Sequence, residues 1–173
     1  MLTTGHVIGA LDYGGCGVET NALALVRGLR SKGMRSVVYC TELEPSARER
    51  EFTGAADGFE HSPMSGTRAS HVMRLRDGLK GHAVDCVVSY AFANHFWVSL
   101  AAHMAGVRRC HVRVAGSPLK DRSTRLKSLM LAQMARPFCD GEIAIPGTVH
   151  CELEREFAAA LAPGRDNSQR HRC

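Results

Sequence analysis

Aromatic residues are scarce, at 6% of the chain with a single Trp, and no apolar run approaches the ~20 residues that a membrane-spanning helix needs. The longest, Phe96 to Val107, is interrupted by Ser99 and His103, so no transmembrane segment is expected. Met1 to Leu11 has neither a basic leader nor a small-residue cleavage site after an apolar core, so it does not read as a secretory signal. A cytoplasmic protein is expected. Cys-x-x-Cys is absent from the seven cysteines (16, 40, 86, 110, 139, 151 and 173), whose closest pair lies twelve positions apart. That odd count excludes a disulfide framework and a zinc-binding pattern. Cys40, Cys86 and Cys110 lie in apolar stretches, where a reduced thiol acts as a small hydrophobe. His61, His71, His82 and His150 show no metal-ligand spacing to one another, so neither a metal nor a bound cofactor is expected. Repeats and heptad runs are also missing.

What remains is an ordinary globular composition, 45% hydrophobic and 23% charged over 173 residues, enough for one domain. The expected division is a domain over 1–160 and a disordered basic tail over 161–173, because Gly164 to Cys173 holds Arg165, Arg170 and Arg172 and no aliphatic side chain. The net charge of +5 is concentrated. Arg108, Arg109, Arg113, Lys120, Arg122, Arg125 and Lys127 stand against Asp121 alone, which makes residues 108–127 +6 and the rest −1. Such a segment is either a solvated face or a contact for phosphate or an acidic membrane surface. Nucleic acid is the weakest partner, since no aromatic residue lies in that segment to stack on bases.

Along the chain, an apolar strand over His6 to Leu11 runs into Asp12, Tyr13, Gly14, Gly15, Cys16 and Gly17. Val18, Ala22, Leu25, Val26 and Leu29 then follow the spacing of one helical face, which Gly33 stops. Ser36 to Thr41 is β-branched and aromatic and predicts a second strand. The stretch Glu42 to Gly66 allows a short helix and a brief strand near Phe59. Beyond it, helices are predicted over Arg68 to Leu79 (inward Val72, Leu75 and Leu79), Asn94 to Ala105, Arg122 to Arg136 (inward Leu126, Leu129 and Met130) and Val149 to Phe157. Strands are predicted over Val84 to Ser89, Arg109 to Val114 and Glu142 to Ile145. Six strands alternating with helices predict a doubly wound, mainly parallel α/β sheet.

In such a sheet, ligands bind beyond the carboxyl ends of the strands where strand order reverses. The commonest order, 3-2-1-4-5-6, brings the loop Asp12 to Gly17 to face Ser89 to His95, with Arg113 to Pro118 beside them. Gly14, Gly15 and Gly17 permit close backbone approach, and the helix start behind them favours an anion. Their other reading is a plain strand-to-helix turn. Glu19 is either a favourable dipole contact or a ligand for hydroxyls. His95 is a candidate for contacting sugar hydroxyls or moving a proton, or else a capping residue, while His103 reads as a core histidine. A nicotinamide fingerprint with Glu42 as its acidic residue fails, because Thr20 stands where the third glycine belongs.

His6-Val-Ile-Gly-Ala-Leu11, Gly14-Gly15 and Glu19-Thr-Asn21, followed by Val84-Asp-Cys-Val-Val-Ser89, Ser99-Leu-Ala-Ala102, Ala105-Gly-Val107 and Cys139-Asp-Gly-Glu-Ile-Ala-Ile145, resemble in order and spacing the N-terminal half of glycosyltransferase family 4. The resemblance covers residues 6–157. It implies one of the two Rossmann-like domains of a GT-B enzyme, the acceptor-side one, acting on a nucleotide-sugar as co-substrate and a glycan or lipid-linked acceptor. Gly14, Gly15, Gly17 and Glu19 would then lie near the donor phosphates, and Ser89, Asn94, His95, Arg113 and Ser117 near the acceptor. The implied location is cytoplasmic, peripheral to the inner face of the membrane. Departures are the extra Gly17, Gly141 where a basic residue is common, and Ile145-Pro146-Gly147 in place of Val-Ser. The family's donor-domain Glu-x7-Glu is absent. Three readings follow: a truncated enzyme inactive without a donor-binding domain, one subunit of a split transferase, or a non-catalytic sugar or phosphate binder.

Overall fold

The computed structural model describes residues 1–9, 11, 17–42, 46–63, 65–90, 94–114, 130–131 and 133–144. The first part (122–129) of the helix predicted over Arg122 to Arg136, the helix predicted over 149–157, the tail over 161–173, and Gly14, Gly15 and Ser117 lie outside those residues, while 130–131 and 133–135 are helical. Within them the elements are β1 (Thr3–Ile8), α1 (Gly17–Ser31), β2 (Arg35–Cys40), α2 (Glu49–Ala55), β3 (Gly58–His61), α3 (Arg68–Gly81), β4 (Cys86–Ser89), α4 (His95–Ala105), β5 (Arg109–Val114) and β6 (Gly141–Ala144). A 3-10 turn occupies Arg136–Phe138.

The six strands form one sheet in the order β3-β2-β1-β4-β5-β6, and every neighbouring pair is parallel. A parallel sheet is covered on both faces, so its strands read as continuous rather than alternating apolar runs, as in Val37-Val38-Tyr39-Cys40. One face packs Ile8, Val38, Cys40, Val88 and Tyr90 against Ala22, Leu23 and Val26 of α1 and Phe52 of α2. The other packs Val7, Val37, Tyr39, Val87 and Cys110 against Val72, Leu75 and Leu79 of α3 and Val98, Ala101 and Ala102 of α4. The helices therefore divide two to a face. Gly33 (φ 74°) and Gly106 (φ 77°) turn the chain out of α1 and α4 in the left-handed region, where a side chain is strained. Thr67 begins α3 by accepting from the Ser70 N–H at 3.2 Å, the usual work of a threonine N-cap.

Several expectations need correction. β1 occupies Thr3–Ile8 rather than His6 to Leu11. Thr3, Thr4 and Gly5 carry no hydrophobic signal, yet they pair with Arg35, Ser36 and Val37. At the end of the strand the Thr41 N–H still reaches the Ile8 carbonyl at 3.0 Å, and the Thr41 hydroxyl adds contacts to the carbonyls of Ile8 and Gly9 at 3.3 and 3.1 Å. On α1, Leu25 is 39% exposed and Leu23 is the buried residue, so the buried face is turned from the one predicted. Met130, expected inward, is 59% exposed. His103 is not a core residue either: it is exposed and rests against the Phe138 ring at 5.1 Å. Cys40 and Cys110 are buried free thiols and Cys86 is partly buried.

Two glycines should respond oppositely to substitution. A Cβ on Gly5, in the central strand, meets Leu79, Val84 and Tyr39 at 3.2–3.3 Å, whereas one on Gly28, mid-α1, meets nothing within 4 Å. Gly5→Val should cost about 1–3 kcal/mol by overpacking, and Gly28→Ala should add about 0.5–1 kcal/mol. Urea unfolding of the two variants beside the parent checks both signs.

Candidate functional site

The winding reverses at β1, which has β2 on one side and β4 on the other. The C-terminal ends of β1, β4 and β5 and the start of α1 therefore converge on one crevice, the place where α/β sheets bind ligands. Strand 2 fixes the chain leaving β1. The Glu42 carboxylate accepts from the Leu11 N–H at 3.0 Å, so the acidic residue that a nicotinamide site would need for a ribose is committed to backbone.

Glu19, in the first turn of α1, is 4% exposed, and its Oε2 has no hydrogen-bond partner among the described residues. Arg113, at the end of β5, is 6% exposed. Its guanidinium donates to the Val18 carbonyl at a long 3.4 Å and lies 5.5 Å from the centre of the Tyr90 ring, a cation–π distance. No ion pair joins Arg113 to a described carboxylate. Tyr90 follows β4, with its N–H bound to the Val7 carbonyl at 2.9 Å and its hydroxyl 3.3 Å from His6 Nδ1. Burial pushes the Tyr90 phenol up to about 12, opposed by the Arg113 charge. Burial also lowers His6 to about 4, so its ring is neutral at pH 7. His6 Nε2 has no partner among the described residues. A buried carboxylate and a buried guanidinium, neighbours on one face and each short of partners among the described residues, are costly to the fold and make this crevice the candidate site.

The remaining predicted residues are placed as follows. Gly17 opens α1, and a Cβ there meets Asn21 at an ordinary 3.5 Å, so space does not demand glycine. Ser89 is buried, and its Oγ has no partner among the described residues. Strand alternation, with Val87 in one core and Val88 in the other, puts Ser89 on the α4 face, away from Tyr90. Asn94 is the N-cap of α4 and makes no side-chain cap bond. His95 is 3% exposed, with Nδ1 3.3 Å from Ser99 Oγ. The structure thus brings Glu19 and Arg113 together on the α1 face and holds Ser89, His95 and Ser99 on the other. His6 and Tyr90 were not foreseen. The only signals were a histidine in an apolar strand and an aromatic just past another. In the basic segment, Arg108 reaches Asp85 at 3.8 Å and Arg109 reaches Asp140 at 2.8 Å, so the described part of it is engaged locally. No group of three or more metal-ligating side chains occurs among the described residues, and none of the described helices is long and apolar enough to cross a membrane.

No protein-family model matches the chain, and no curated protein matches it significantly in sequence. Solved structures do. A glycosyltransferase from Rickettsia africae ESF-5 superposes with TM-score 0.70 at 16% identity, over 91% of this chain and 40% of that one. The S. aureus MnaA-UDP co-structure gives 0.64 at 14% identity, over 90% and 42%. MurG from Acinetobacter baumannii gives 0.59 at 14% identity, over 83% and 41%. The fold is a Rossmann-like domain of the GT-B type. This chain spans about two fifths of the length of each of these structures.

Acid should unfold the protein through His6. Its folded value of about 4 lies below the ordinary 6.5, so between those values the unfolded chain binds a proton that the folded chain refuses. This contribution to stability is complete above pH 6.5 and lost as pH falls toward 4, by roughly 3 kcal/mol. His71, also lowered by burial, adds to the same limb. Urea titrations at pH 7, 5.5 and 4 should show the decline, and His6→Gln should flatten it.

Proposed function

We propose that this chain forms the acceptor-side wall of a GT-B sugar-transfer site of glycosyltransferase family 4 type, with the donor wall supplied by a second Rossmann-like domain. The observation that carries the reading is the pair of buried, under-partnered charges, Glu19 and Arg113, at the start of α1 where strand order reverses. In this reading the Glu19 carboxylate accepts hydrogen bonds from sugar hydroxyls, and Arg113 holds an anionic group, either a donor phosphate or the phosphate of a lipid-linked acceptor. Gly14, Gly15 and Gly17 let that group approach the N–H groups of the first turn of α1. Asn94, with its amide free of capping duty, and Ser117 extend the acceptor side. Ser89 and His95 support that wall from the α4 face, His95 by fixing the start of α4 through Ser99. An acidic membrane surface as a further partner would rest on Lys120, Arg122, Arg125 and Lys127.

Transfer needs both walls. Positioning a donor against an acceptor supplies roughly 7–11 kcal/mol of a barrier, and one wall cannot position both. The 173-residue chain should therefore transfer no sugar above background and bind UDP- or GDP-sugars only weakly. Calorimetry with such donors, pyrophosphate and a panel of glycosides, run beside a radiolabelled transfer assay, tests this. Glu19→Gln should weaken glycoside binding and Arg113→Met anion binding, each by about tenfold or more, the worth of one charge-assisted hydrogen bond. Both variants should unfold at or above the parent's urea midpoint, since each removes a buried charge. Micromolar donor affinity or turnover by the chain alone would overturn the two-wall reading. Unchanged binding in both variants would overturn the placement of the site.

A further inference from the structure

The carboxylate of Glu19 and the guanidinium of Arg113 form no ion pair with each other, and the side chains behind Arg113 supply a reason. His6 on β1, Tyr90 just past β4 and Arg113 on β5 come from three adjacent strands. Ile8, Val88 and Tyr90 belong to the core on the α1 face, and alternation puts His6, two residues before Ile8, on that face too. The His6 and Tyr90 rings are both buried and stack, with centroids 6.1 Å apart and planes at 29°. The Tyr90 hydroxyl lies 3.3 Å from His6 Nδ1, and the same ring carries the Arg113 guanidinium 5.5 Å from its centre. The three side chains form a line from the central strand to the charge.

Opposite charges attract far more strongly in a buried setting than in water, so a guanidinium near a carboxylate closes on it unless something else holds it. Arg113 reaches the carbonyl of Val18, the residue before Glu19, at 3.4 Å, a bond too long to fix a cation by itself. The Tyr90 ring is the other hold. Cation–π attraction acts on the charge and uses none of the N–H donors, so it sets the position of Arg113 and leaves its donors to a ligand. A carboxylate in place of the ring would consume them. The ring is itself fixed, by the Tyr90 N–H on the Val7 carbonyl at 2.9 Å and by His6 at the hydroxyl. Burial keeps the His6 ring neutral and the phenol protonated, so a ring nitrogen is able to accept. A phenol O–H that donates to it returns electron density to the aromatic face and strengthens its hold on a cation.

We propose that Tyr90 is the positioning residue of Arg113, holding its guanidinium off Glu19, and that His6 sets Tyr90 by accepting the phenol O–H at Nδ1. The His6 proton then sits on Nε2. This inference rests on the reading of Arg113 as an anion contact and of Glu19 as a hydroxyl contact, and it states what keeps both available. Without the ring, Arg113 falls onto Glu19, and the two contacts are lost together. The damage therefore runs through Glu19: once that carboxylate is removed, Arg113 has nothing to fall onto and the ring matters less. A residue that merely filled space would show no such dependence.

The test is a double-mutant cycle on the whole chain, read by calorimetry with pyrophosphate, beside nitrogen NMR of the parent without ligand. Tyr90→Leu should weaken pyrophosphate binding about tenfold, and Tyr90→Phe, which keeps the ring and loses the hydroxyl, about threefold. With Glu19→Gln already in place, Tyr90→Leu should cost less than half of that loss on a logarithmic scale. In the parent spectrum His6 should carry its proton on Nε2, and the Arg113 Nε–H should be shifted upfield by the Tyr90 ring. An equal loss in both Glu19 backgrounds, Tyr90→Phe as weak as Tyr90→Leu, a His6 proton on Nδ1, or an Arg113 N–H without a ring shift would overturn the proposal. Pyrophosphate binding unchanged by Arg113→Met would instead overturn the anion reading. The two NMR readings need neither ligand nor variant, so they decide the positioning of Arg113 in that case and where a variant fails to fold.

Discussion

The position of β1 constrains everything else in this molecule. It is flanked on both sides, by β2 over six registered pairs and by β4 over four, so its backbone is satisfied by the sheet alone and its side chains fill both cores. A parallel sheet grown outward from such a strand must be wound first in one direction and then in the other. The helices α1 and α2 are thereby assigned to one face and α3 and α4 to the other. The reversal leaves the chain ends of β1 and β4 diverging, and no helix can cover the gap between them. The crevice is a consequence of topology before any functional residue is considered.

What occupies that crevice runs against the economy of folding. The sheet core could have been closed with aliphatic side chains, yet a carboxylate, a guanidinium, a phenol and an imidazole are buried within reach of α1. Among the described residues only the phenol and imidazole contact each other directly. Among the described residues Arg113 spends its charge on an aromatic face and one long bond to a carbonyl, far less than the five donors of a guanidinium can use. A structural role would pair Arg113 with Glu19 and quench both. No ion pair joins them among the described residues, and on the proposed reading that leaves both to a third party carrying hydroxyls and negative charge together, as a sugar phosphate does.

The sheet was legible in the sequence because its order follows from the count and alternation of elements, and the helical spacing of Val72, Leu75 and Leu79 appears in the structure as the buried face of α3. The failures share a cause. Hydropathy reads side chains, and the first half of β1 is held by backbone pairing of Thr3, Thr4 and Gly5. On α1, Leu23 and Leu25 are chemically the same, and only the seating of the helix on the sheet decides which is buried. Glu19 could be singled out because its place in the first turn of a helix after a glycine loop is a local property. Its lack of a partner could not, and neither could the His6 to Tyr90 contact, which joins positions 84 apart. The bond from the Cys139 sulfur to the Cys110 carbonyl, across 29 positions, likewise carries no spacing signal.

β5 links the crevice to the outer part of the sheet. Alternation along the strand sends Arg113 to the α1 face and Cys110 to the α4 face, and three residues of rise hold them roughly 10 Å apart. At the Cys110 end the described sheet reaches one of its two edges. β6 is an edge strand joined to β5 over four pairs, and its approach is fixed by Asp140, which binds the Cys110 N–H and the Arg109 side chain at once. The exposed Arg109 to Asp140 ion pair adds little on its own. The Asp140 bonds to the Cys110 backbone, with the bonds from the Cys139 sulfur to the Cys110 and Gly141 carbonyls, therefore carry the junction.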